Sequence, residues 1–340
     1  MAAAPGLIEM TLSAAPPDPA APLLQVEQLT IRFGSIPAVD GIDFSVAASE
    51  VLGLVGESGS GKSLTLRAIL GLLPRGAAVG GRVIWQGTDL LGLAEPALNA
   101  AVRGKDIAIV FQEPMTALNP VLPIGLQITE SLAVHRQLHG HSARMRAIEL
   151  LDLVGIPDAA RRLDAYPHEF SGGMRQRAMI AIALAPGPKL LLADEPTTAL
   201  DVTIQDQILK LLLRLRTELA MSVILVTHDL GVVAETCDRV AVLYAGRIME
   251  TADVHTLFRA PAHPYTQGLI ASVPDARNAR RMLSSIAGAP PDPRALPPGC
   301  RFAPRCPRAL SACDDGQPDR VRLAPGHSAM CLRAGGAAGP

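Results

Sequence analysis

The feature that most constrains this chain is a glycine-rich loop placed between an apolar strand and a helix. The loop reads Gly56-Glu57-Ser58-Gly59-Ser60-Gly61-Lys62-Ser63 and fits the pattern G-x-x-x-x-G-K-[ST]. Residues 51–55 are apolar and predict a buried strand, and the apolar spacing of residues 64–72 predicts a helix. A strand, a loop and a helix in this order favour a phosphate-binding loop over a chance Gly/Ser turn.

The loop residues have separate predicted roles. Glycines at three positions let the backbone curl and approach phosphates closely. Lys62 brings a positive charge to the β- and γ-phosphates, and the Ser63 hydroxyl is a candidate ligand for Mg²⁺. We expect the nucleotide to be contacted by Gly56, Glu57, Ser58, Gly59, Ser60, Gly61, Lys62, Ser63 and Leu64.

Length and composition bound the class of protein. A chain of 340 residues is long for a single core, so we expect one large domain with an appendage. Aromatic residues make up only 3%, so the core must be built mainly from Leu, Ile, Val and Ala. A net charge of −1 gives no indication of nucleic-acid binding. No apolar run approaches the ~20 residues that span a bilayer, and no secretory signal begins the chain, so we expect a cytosolic location or peripheral membrane attachment through partners.

The pattern along the chain predicts three parts. Residues 1–22 are rich in Ala and Pro and are expected to form a flexible tail. Residues 23–260 are expected to form the main domain. From residue 261 onward, prolines recur, which predicts a loop-rich extension over residues 261–340 and not a second core of the same kind.

Within the main domain, the alternation of residues 24–31 and 41–46 predicts an antiparallel layer beside the loop. Residues 190–193 and 223–226 predict strands joined by a helix over 204–219, which indicates a parallel sheet with right-handed crossovers. Residues 125–185 are expected to be mainly helical, and residues 239–250 to form a hairpin.

Two carboxylates follow an apolar strand. Asp194 is placed to hold Mg²⁺, directly or through water, and Glu195 to act as the base for an attacking water. Adjacent carboxylates at a strand end are sometimes only helix caps. That interpretation is weaker here, because ligands bind at this edge of such sheets.

Two further features each have a plain structural interpretation. Ser171-Gly172-Gly173 precedes a helix and offers a second anion site, which is redundant in one chain but sensible across a dimer, although such turns are usually structural. Phe33 lies upstream of the loop and is either a core residue or an aromatic that stacks on a base.

In combination, these features resemble the ATP-binding-cassette (ABC) ATPase family over roughly residues 23–260. The residues that carry the resemblance, in family order, are the loop Gly56–Ser63, Gln112, Ser171-Gly172-Gly173, the strand Leu190–Glu195, Ala199-Leu200-Asp201 and His228. Phe170 and Met174 depart from the family's usual Leu and Gln around the Ser-Gly-Gly signature. The resemblance implies an α/β P-loop cassette with a RecA-like core, an antiparallel β subdomain and a helical signature subdomain.

The resemblance also implies roles for single residues. Phe33 would stack on adenine, and Gln112 would sense Mg²⁺ and water. Glu195 would be the catalytic carboxylate, Asp201 an inter-subunit contact, and His228 the histidine that holds the γ-phosphate. By itself, a lone His before an Asp is more often a capping or core residue.

A narrower resemblance is to the importers of oligopeptides, dipeptides and nickel, carried by residues 111–120, 263–274 and 297–307. It implies a MgATP-hydrolysing subunit on the cytoplasmic face of the inner membrane that pairs with a second cassette, as a heterodimer or a homodimer. Two membrane permeases would dock near Gln112 and residues 113–135, and a solute-binding protein would act indirectly. The alternatives are a nickel or other small-solute importer and, more remotely, a soluble cassette ATPase, although the chain lacks a basic arm and a heptad run.

Four cysteines crowd the extension with the spacing C-x₅-C-x₆-C-x₁₇-C: Cys300, Cys306, Cys313 and Cys331. This spacing lacks the C-x₂-C pairs of a zinc ribbon and the run of a ferredoxin. The subfamily resemblance implies a [4Fe–4S] cluster at these positions. Zinc, no metal or an occasional disulfide stay open as alternatives. His327 is expected to lie at the surface.

Overall fold

The computed structural model describes residues 22–113, 117–198, 200–273 and 286–334. Almost all of the predicted N-terminal tail lies outside these ranges, as do Ala199 and residues 114–116 of the two motifs named above. The described strands form two sheets, and the phosphate loop lies where helices and both sheets meet.

The smaller sheet is antiparallel, as the alternation predicted. Its strands are β1 (Leu24–Phe33), β2 (Ile36–Val46), β4 (Ala77–Trp85) and β5 (Thr88–Asp89), in the order β2-β1-β4-β5. Alternate side chains of β1 are buried, which is the pattern of a sheet with one face on a core.

The larger sheet has a parallel centre. Its central strands are β3 (Val51–Val55), β6 (Ile107–Val110), β7 (Leu190–Asp194), β8 (Ser222–Thr227) and β9 (Arg239–Tyr244), in the order β9-β3-β8-β7-β6. Every pairing among these five strands is parallel, so the predicted parallel sheet is confirmed. Strands β3, β7 and β8 are buried along their whole length, which explains their continuous apolar runs.

Helices cover this sheet and form a layer beside it. They are α1 (Lys62–Ile69), α2 (Glu95–Ala101), α3 (Ile124–Arg136), α4 (Gly140–Leu153), α5 (Ala159–Arg162), α6 (Gly172–Leu184), α7 (Val202–Glu218), α8 (Leu230–Thr236), α9 (Val254–Arg259), α10 (Pro264–Ala271) and α11 (Ala312–Asp315). The helices α3 to α6 share one core with one face of the larger sheet. The other face packs on the antiparallel sheet and α1. No helix within the described ranges is long and apolar enough to cross a membrane.

The hairpin of β9 and β10 (Arg247–Asp253) turns at Ala245-Gly246, where the sequence predicted it. Both turn residues have a positive φ, of 45° and 83°, which is the requirement of a two-residue type I′ turn. The turn packs beside the phosphate loop, because the Gly246 N–H donates to the Ser60 carbonyl over 3.0 Å.

The C-terminal extension is attached to the same sheet. Strands β11 (Val321–Ala324) and β12 (His327–Ala329) continue it past β10 in antiparallel pairing. The Glu250 carboxylate on β10 is fully buried and lies 2.9 Å from His327 Nε2. The expectation that His327 lies at the surface is therefore wrong, because its ring compensates a buried carboxylate.

Candidate functional site

The phosphate loop begins where β3 ends and runs directly into α1. Gly56 has φ = 149°, and a Cβ there would lie 2.0 Å from the Leu243 carbonyl oxygen. Gly61 has φ = 103°, and a Cβ there would lie 2.9 Å from the Ala38 carbonyl oxygen. Both positions therefore exclude a side chain, because carbonyl oxygens of β9 and β2 lie directly against the loop.

Lys62 is the first residue of α1, and its side chain reaches back to the start of the loop. Its Nζ donates to the carbonyl oxygens of Gly56 over 2.8 Å and of Glu57 over 3.0 Å. Burial holds the pKa of Lys62 below its ordinary value, although nearby carboxylates, Glu195 first, act in the opposite direction. The loop thus carries a largely desolvated ammonium, which suits an anionic ligand.

Ser63 and Asp194 bring two oxygen donors together. The Ser63 hydroxyl donates to Asp194 Oδ1 over 2.7 Å, which joins α1 to the end of β7. Burial raises the pKa of Asp194 above its ordinary value, and the hydrogen bond from Ser63 opposes that change. A divalent cation beside this carboxylate would offset its desolvation, so the donors present fit Mg²⁺.

Glu195 follows β7, and its carboxylate lies close to residues that follow the two neighbouring strands. Gln112 Nε2, after β6, donates to Glu195 Oε2 over 3.2 Å, and His228 Nδ1, after β8, lies 3.4 Å from the same oxygen. The Thr198 hydroxyl also donates to Oε2 over 2.9 Å. Because β8, β7 and β6 are adjacent and parallel, their carboxyl ends converge on one edge.

These side chains line one cavity of about 600 Å³. Its walls are Ser58, Gly59, Ser60, Gly61, Lys62, Ser63, Leu64, Gln112, Glu195 and His228. The structure therefore brings residues 58–64 of the predicted loop together with the three residues assigned catalytic roles, whereas Gly56, Glu57 and Asp194 are not in the lining of this cavity. Such a volume is typical of a small-molecule site.

Phe33 borders a second cavity of about 430 Å³ that shares the phosphate loop with the first. Phe33 is half-buried at the end of β1, and its neighbours in the wall include Pro37, Ala38 and Tyr244. An aromatic side chain thus lies at the edge of the phosphate loop.

The signature and Asp201 are not part of these cavities. Ser171 caps α6 through a 3.4 Å hydrogen bond from the Met174 N–H, and Asp201 caps α7 through a 3.0 Å hydrogen bond from the Ile204 N–H. Ser171 and Gly172 are exposed at the helix N-terminus. Within one chain, the structure leaves these predicted residues apart from the phosphate loop.

The four C-terminal cysteines are neighbours with free thiols. Burial raises the pKa of Cys300 and of Cys306, and the Cys313 and Cys331 thiols raise both further. Across the described parts of the chain, no three His, Cys, Asp or Glu side chains are arranged to hold a metal ion. The donor type therefore suits a thiolate-bound metal, but the side chains do not form a closed ligand set.

Sequence reasoning missed several residues of this site. Thr198 contacts Glu195, Tyr265 accepts a 2.9 Å hydrogen bond from the Glu57 N–H, and Arg305 pairs with the Glu57 carboxylate. Two of them fall in C-terminal stretches that carried the narrower resemblance, yet no spacing rule joined these stretches to the loop.

Comparison with known proteins gives two family matches. The family model described as ABC transporter matches residues 39–198. The model described as Oligopeptide/dipeptide transporter, C-terminal region, matches residues 249–313. The first match spans the phosphate loop and Glu195, and the second spans Tyr265 and Arg305.

Named relatives are similar over most of this chain. A Brucella abortus (strain 2308) protein whose name includes "peptide import ATP-binding protein" is 54% identical over 316 residues, covering 92% of this chain and 95% of that protein. The oligopeptide transport ATP-binding protein AppD of Bacillus subtilis (strain 168) is 49% identical over 316 residues, covering 91% and 96%. The oligopeptide transport ATP-binding protein OppD of Mycobacterium tuberculosis (strain ATCC 25618 / H37Rv) is 51% identical over 319 residues, covering 92% of this chain and 52% of that protein.

Solved structures with a similar fold include two cassettes. One is a dimeric post-hydrolysis state of the ATP-binding cassette MJ0796 bound to ADP and Pi, with a TM-score of 0.61, 29% identity, and coverage of 68% of this chain and 98% of that chain. The other is CbiO1 from Clostridium perfringens, part of the ABC transporter complex CbiONQ, with a TM-score of 0.62, 28% identity, and coverage of 70% and 91%.

Proposed function

We propose, because this chain belongs to the ABC transporter ATPase family and carries its oligopeptide/dipeptide type of C-terminal region, that it is the subunit that energises peptide import. The predicted cassette fold and ATPase activity are confirmed by the family and the structural neighbours. The observation that carries the mechanism is the convergence of Asp194, Glu195, Gln112 and His228 on the phosphate loop.

In the hydrolytic step, Glu195 acts as the general base. Its carboxylate accepts a proton from water while the water oxygen attacks the γ-phosphorus. The bond from that phosphorus to the bridging oxygen breaks, and ADP leaves with the electron pair. Gln112, Thr198 and His228 lie within 3.4 Å of Glu195 Oε2, which supports their role in fixing the carboxylate. Lys62 stabilises the charge of the phosphates.

Ser63 and Asp194 are the residues that would hold Mg²⁺, with Gln112 near them. The ion, when bound, would neutralise charge on the phosphate oxygens. The Ser63 hydroxyl lies 2.7 Å from Asp194 Oδ1, which supports this assignment because one cation could contact both oxygens.

A second cassette subunit would complete the site. The exposed Ser171-Gly172-Gly173 turn lies outside the chain's own cavity, so we assign it to the nucleotide held by a partner cassette. We assign Asp201 to the inter-subunit surface for the same reason. The partner is a homologous subunit or a second copy of this chain. A solved MJ0796 structure is dimeric, which supports the general arrangement.

The permease surface that we propose is a groove of about 740 Å³ between α3 and α4. Its lining includes Leu126, which is 50% exposed, and the ion pair of Arg144 with Asp164 lies at its edge. An exposed apolar groove with a polar rim fits a short helix of a membrane partner. Two permeases would hold two cassettes on the cytoplasmic face of the inner membrane, and a solute-binding protein would deliver the peptide to them.

We propose further that the C-terminal thiols bind an iron–sulfur cluster. The Cys313 and Cys331 thiols raise the pKa of both Cys300 and Cys306, which supports this because it indicates that the thiols share one region. Binding would require them to draw closer together than in the open arrangement described above. Iron and acid-labile sulfide, measured in anaerobically purified protein, would support the cluster, and stoichiometric zinc would overturn it.

The test of the proposed function is the Glu195→Gln variant. We expect it to bind ATP like the wild type, while kcat falls by about 10²–10⁴ because the base is lost. Phosphate release and equilibrium ATP binding measure the two effects. Glu149→Gln, which changes an exposed carboxylate on α4, is the matched control. Hydrolysis by Glu195→Gln at the wild-type rate would show that the catalytic assignment is wrong.

A further inference from the structure

The cavity beside Phe33 has a wall that the cassette core does not supply. One side is the end of β1 and the start of β2, and a second side is the phosphate loop. The third side is formed by Pro290, Pro291, Pro293 and Leu296 of the C-terminal extension. We call residues 290–296 the proline strap. The four strap residues in the cavity wall are apolar, whereas Asp292 and Arg294 between them are exposed to solvent. The prolines restrict the backbone of the strap and disfavour a helix there.

Arg305 joins the strap to the phosphate loop. Its Nη1 lies 2.7 Å from Glu57 Oε2, and its Nη2 lies 3.0 Å from Glu57 Oε1, so the pair is bidentate. The same guanidinium donates from Nε to the Ala287 carbonyl over 2.9 Å and from Nη2 to the Ile286 carbonyl over 3.3 Å. One side chain therefore holds both the loop and the residues that lead into the strap.

The surroundings of Arg305 make this connection rigid. Its side chain is only 6% exposed, and it also donates to the Tyr244 hydroxyl over 3.2 Å. Tyr244 packs against Tyr265 and Phe302, with ring centroids 4.6 and 5.3 Å away. A buried, planar guanidinium whose N–H donors are all hydrogen-bonded keeps its partners in one relative position.

Additional contacts tie the extension to the loop's neighbours. Arg301 donates to the Asp40 carboxylate on β2 and to the Ala245 carbonyl in the β9–β10 turn. The Tyr265 hydroxyl accepts from the Glu57 N–H, so Glu57 is held at its backbone and its side chain by the C-terminal region. The extension therefore supports the phosphate loop from the side that faces the base cavity.

We propose that the C-terminal extension is a component of the nucleotide site: the proline strap contacts the base and ribose, and Arg305 positions the strap against Glu57. The proposal rests on the proposed function as an ATP-binding subunit. The cavity is about 430 Å³, has an aromatic ring and the apolar residues of the strap in its walls, and shares its lining with the phosphate loop. Those properties fit a purine nucleoside whose phosphates lie in the neighbouring cavity.

The strap is tested with Leu296→Ala, which shortens a half-buried wall residue. We expect affinity for ATP to fall by about fivefold, because part of a leucine's contact area is lost. Affinity for inorganic tripolyphosphate, which has no base, should not change. Leu310→Ala, an exposed leucine in the same extension and outside the cavity, should bind both ligands like the wild type. Unchanged ATP affinity in Leu296→Ala, or an equal loss for tripolyphosphate, would overturn the proposal.

The positioning role is tested with Arg305→Gln against Arg308→Gln, an exposed arginine nearby. We expect KM for ATP to rise by about tenfold in Arg305→Gln, with kcat within about twofold, because Arg305 acts on Glu57, whereas the Glu195 carboxylate is held by Gln112 and Thr198. Arg305→Lys should recover part of the loss. Glu57→Gln combined with Arg305→Gln should weaken binding no more than the worse single change.

Two outcomes separate this proposal from the proposed function. If the wild-type chain does not bind ATP, the proposed function fails first. If the wild type binds ATP and the losses from Glu57→Gln and Arg305→Gln simply add, the positioning role fails while the ATPase assignment stands. Leu296→Ala and Glu57→Gln keep the test decisive where Arg305→Gln does not fold, which circular dichroism will show.

Discussion

At the scale of single residues, Glu195 combines chemistry with backbone strain. Its φ is 45°, a left-handed conformation that costs a non-glycine residue about 1–2 kcal/mol. Its N–H donates to the Val226 carbonyl, and its side chain accepts from Gln112 and Thr198. Because this strained conformation follows directly after Asp194, the two adjacent carboxylates make different contacts and can have different roles.

His263 is one source of pH dependence in the stability of the fold. It is 1% exposed, its Nδ1 accepts from the Tyr265 N–H over 3.0 Å, and burial lowers its pKa to about 4. An unfolded chain binds a proton at His263 below its ordinary pKa of 6.5, while the native chain does not until about 4. The stability that depends on neutral His263 is therefore present above pH 6.5 and is lost as the pH falls towards 4.

We expect the free energy of unfolding to fall by about 2 kcal/mol between pH 7 and pH 5 through this residue. His263→Asn keeps an acceptor for the Tyr265 N–H but does not titrate. The free energy of unfolding of this variant should therefore fall by about 2 kcal/mol less than that of the wild type over the same pH range. Denaturant unfolding at the two pH values measures it. The exposed His255→Asn is the control. Equal declines in His263→Asn and the wild type would contradict the assignment.

At the scale of elements, the site is made by the ends of strands. The loop follows β3, Gln112 follows β6, Asp194 ends β7 and His228 follows β8. Residues far apart in sequence meet because four parallel strands end at one edge of the sheet. The helices α3 and α4 stand apart from that edge and leave their groove exposed.

The groove predicts an effect on coupling that spares ATP hydrolysis by paired cassettes in the absence of the permeases. Leu126→Glu places a charge in the apolar groove, and we expect it to abolish peptide uptake by the assembled transporter because a desolvated charge weakens permease docking. Val79→Glu, a partly exposed position on the antiparallel sheet, is the control. Uptake and hydrolysis are measured on the same preparations. Normal uptake with Leu126→Glu would exclude this groove as the permease surface.

Sequence patterns predicted the elements well where the signal was local. The apolar runs before Gly56 and Asp194 gave the buried strands, and the glycines gave the loop. The contact of Glu57 with Arg305 could not be predicted, because a bidentate pair across 248 residues leaves no periodicity. His327 was misjudged for a similar reason: only tertiary structure places Glu250 beside it.

At the scale of the whole molecule, the extension is continuous with the cassette. Strands β11 and β12 join the larger sheet, and Cys300 and Phe302 belong to the same core as the helical layer. The molecule also leaves a helix N-terminus, at Ser171-Gly172-Gly173, without a ligand-binding role in its own cavity. The arrangement accordingly predicts that a complete active site requires two cassettes.

Gly172→Asp tests that prediction. A Cβ at Gly172 would meet only Leu200 Cδ2 at 3.6 Å, an ordinary contact, and an acidic residue suits a helix N-terminus. ATP binding by the isolated chain should thus be unchanged, whereas hydrolysis by the assembled transporter should fall by about 10² or more, since the carboxylate repels the partner's nucleotide. The isosteric Gly172→Asn is the control. A loss of ATP binding by the isolated Gly172→Asp chain would contradict a role at the partner's site.

Calorimetric titration of the full-length chain with MgATP is the most direct test of the central claim that the loop around Lys62 is a nucleotide site. We expect one saturable site per chain, and about 100-fold weaker binding by Lys62→Ala, because the buried ammonium is lost. Absence of saturable binding by the wild type, or equal affinity in Lys62→Ala, would contradict it.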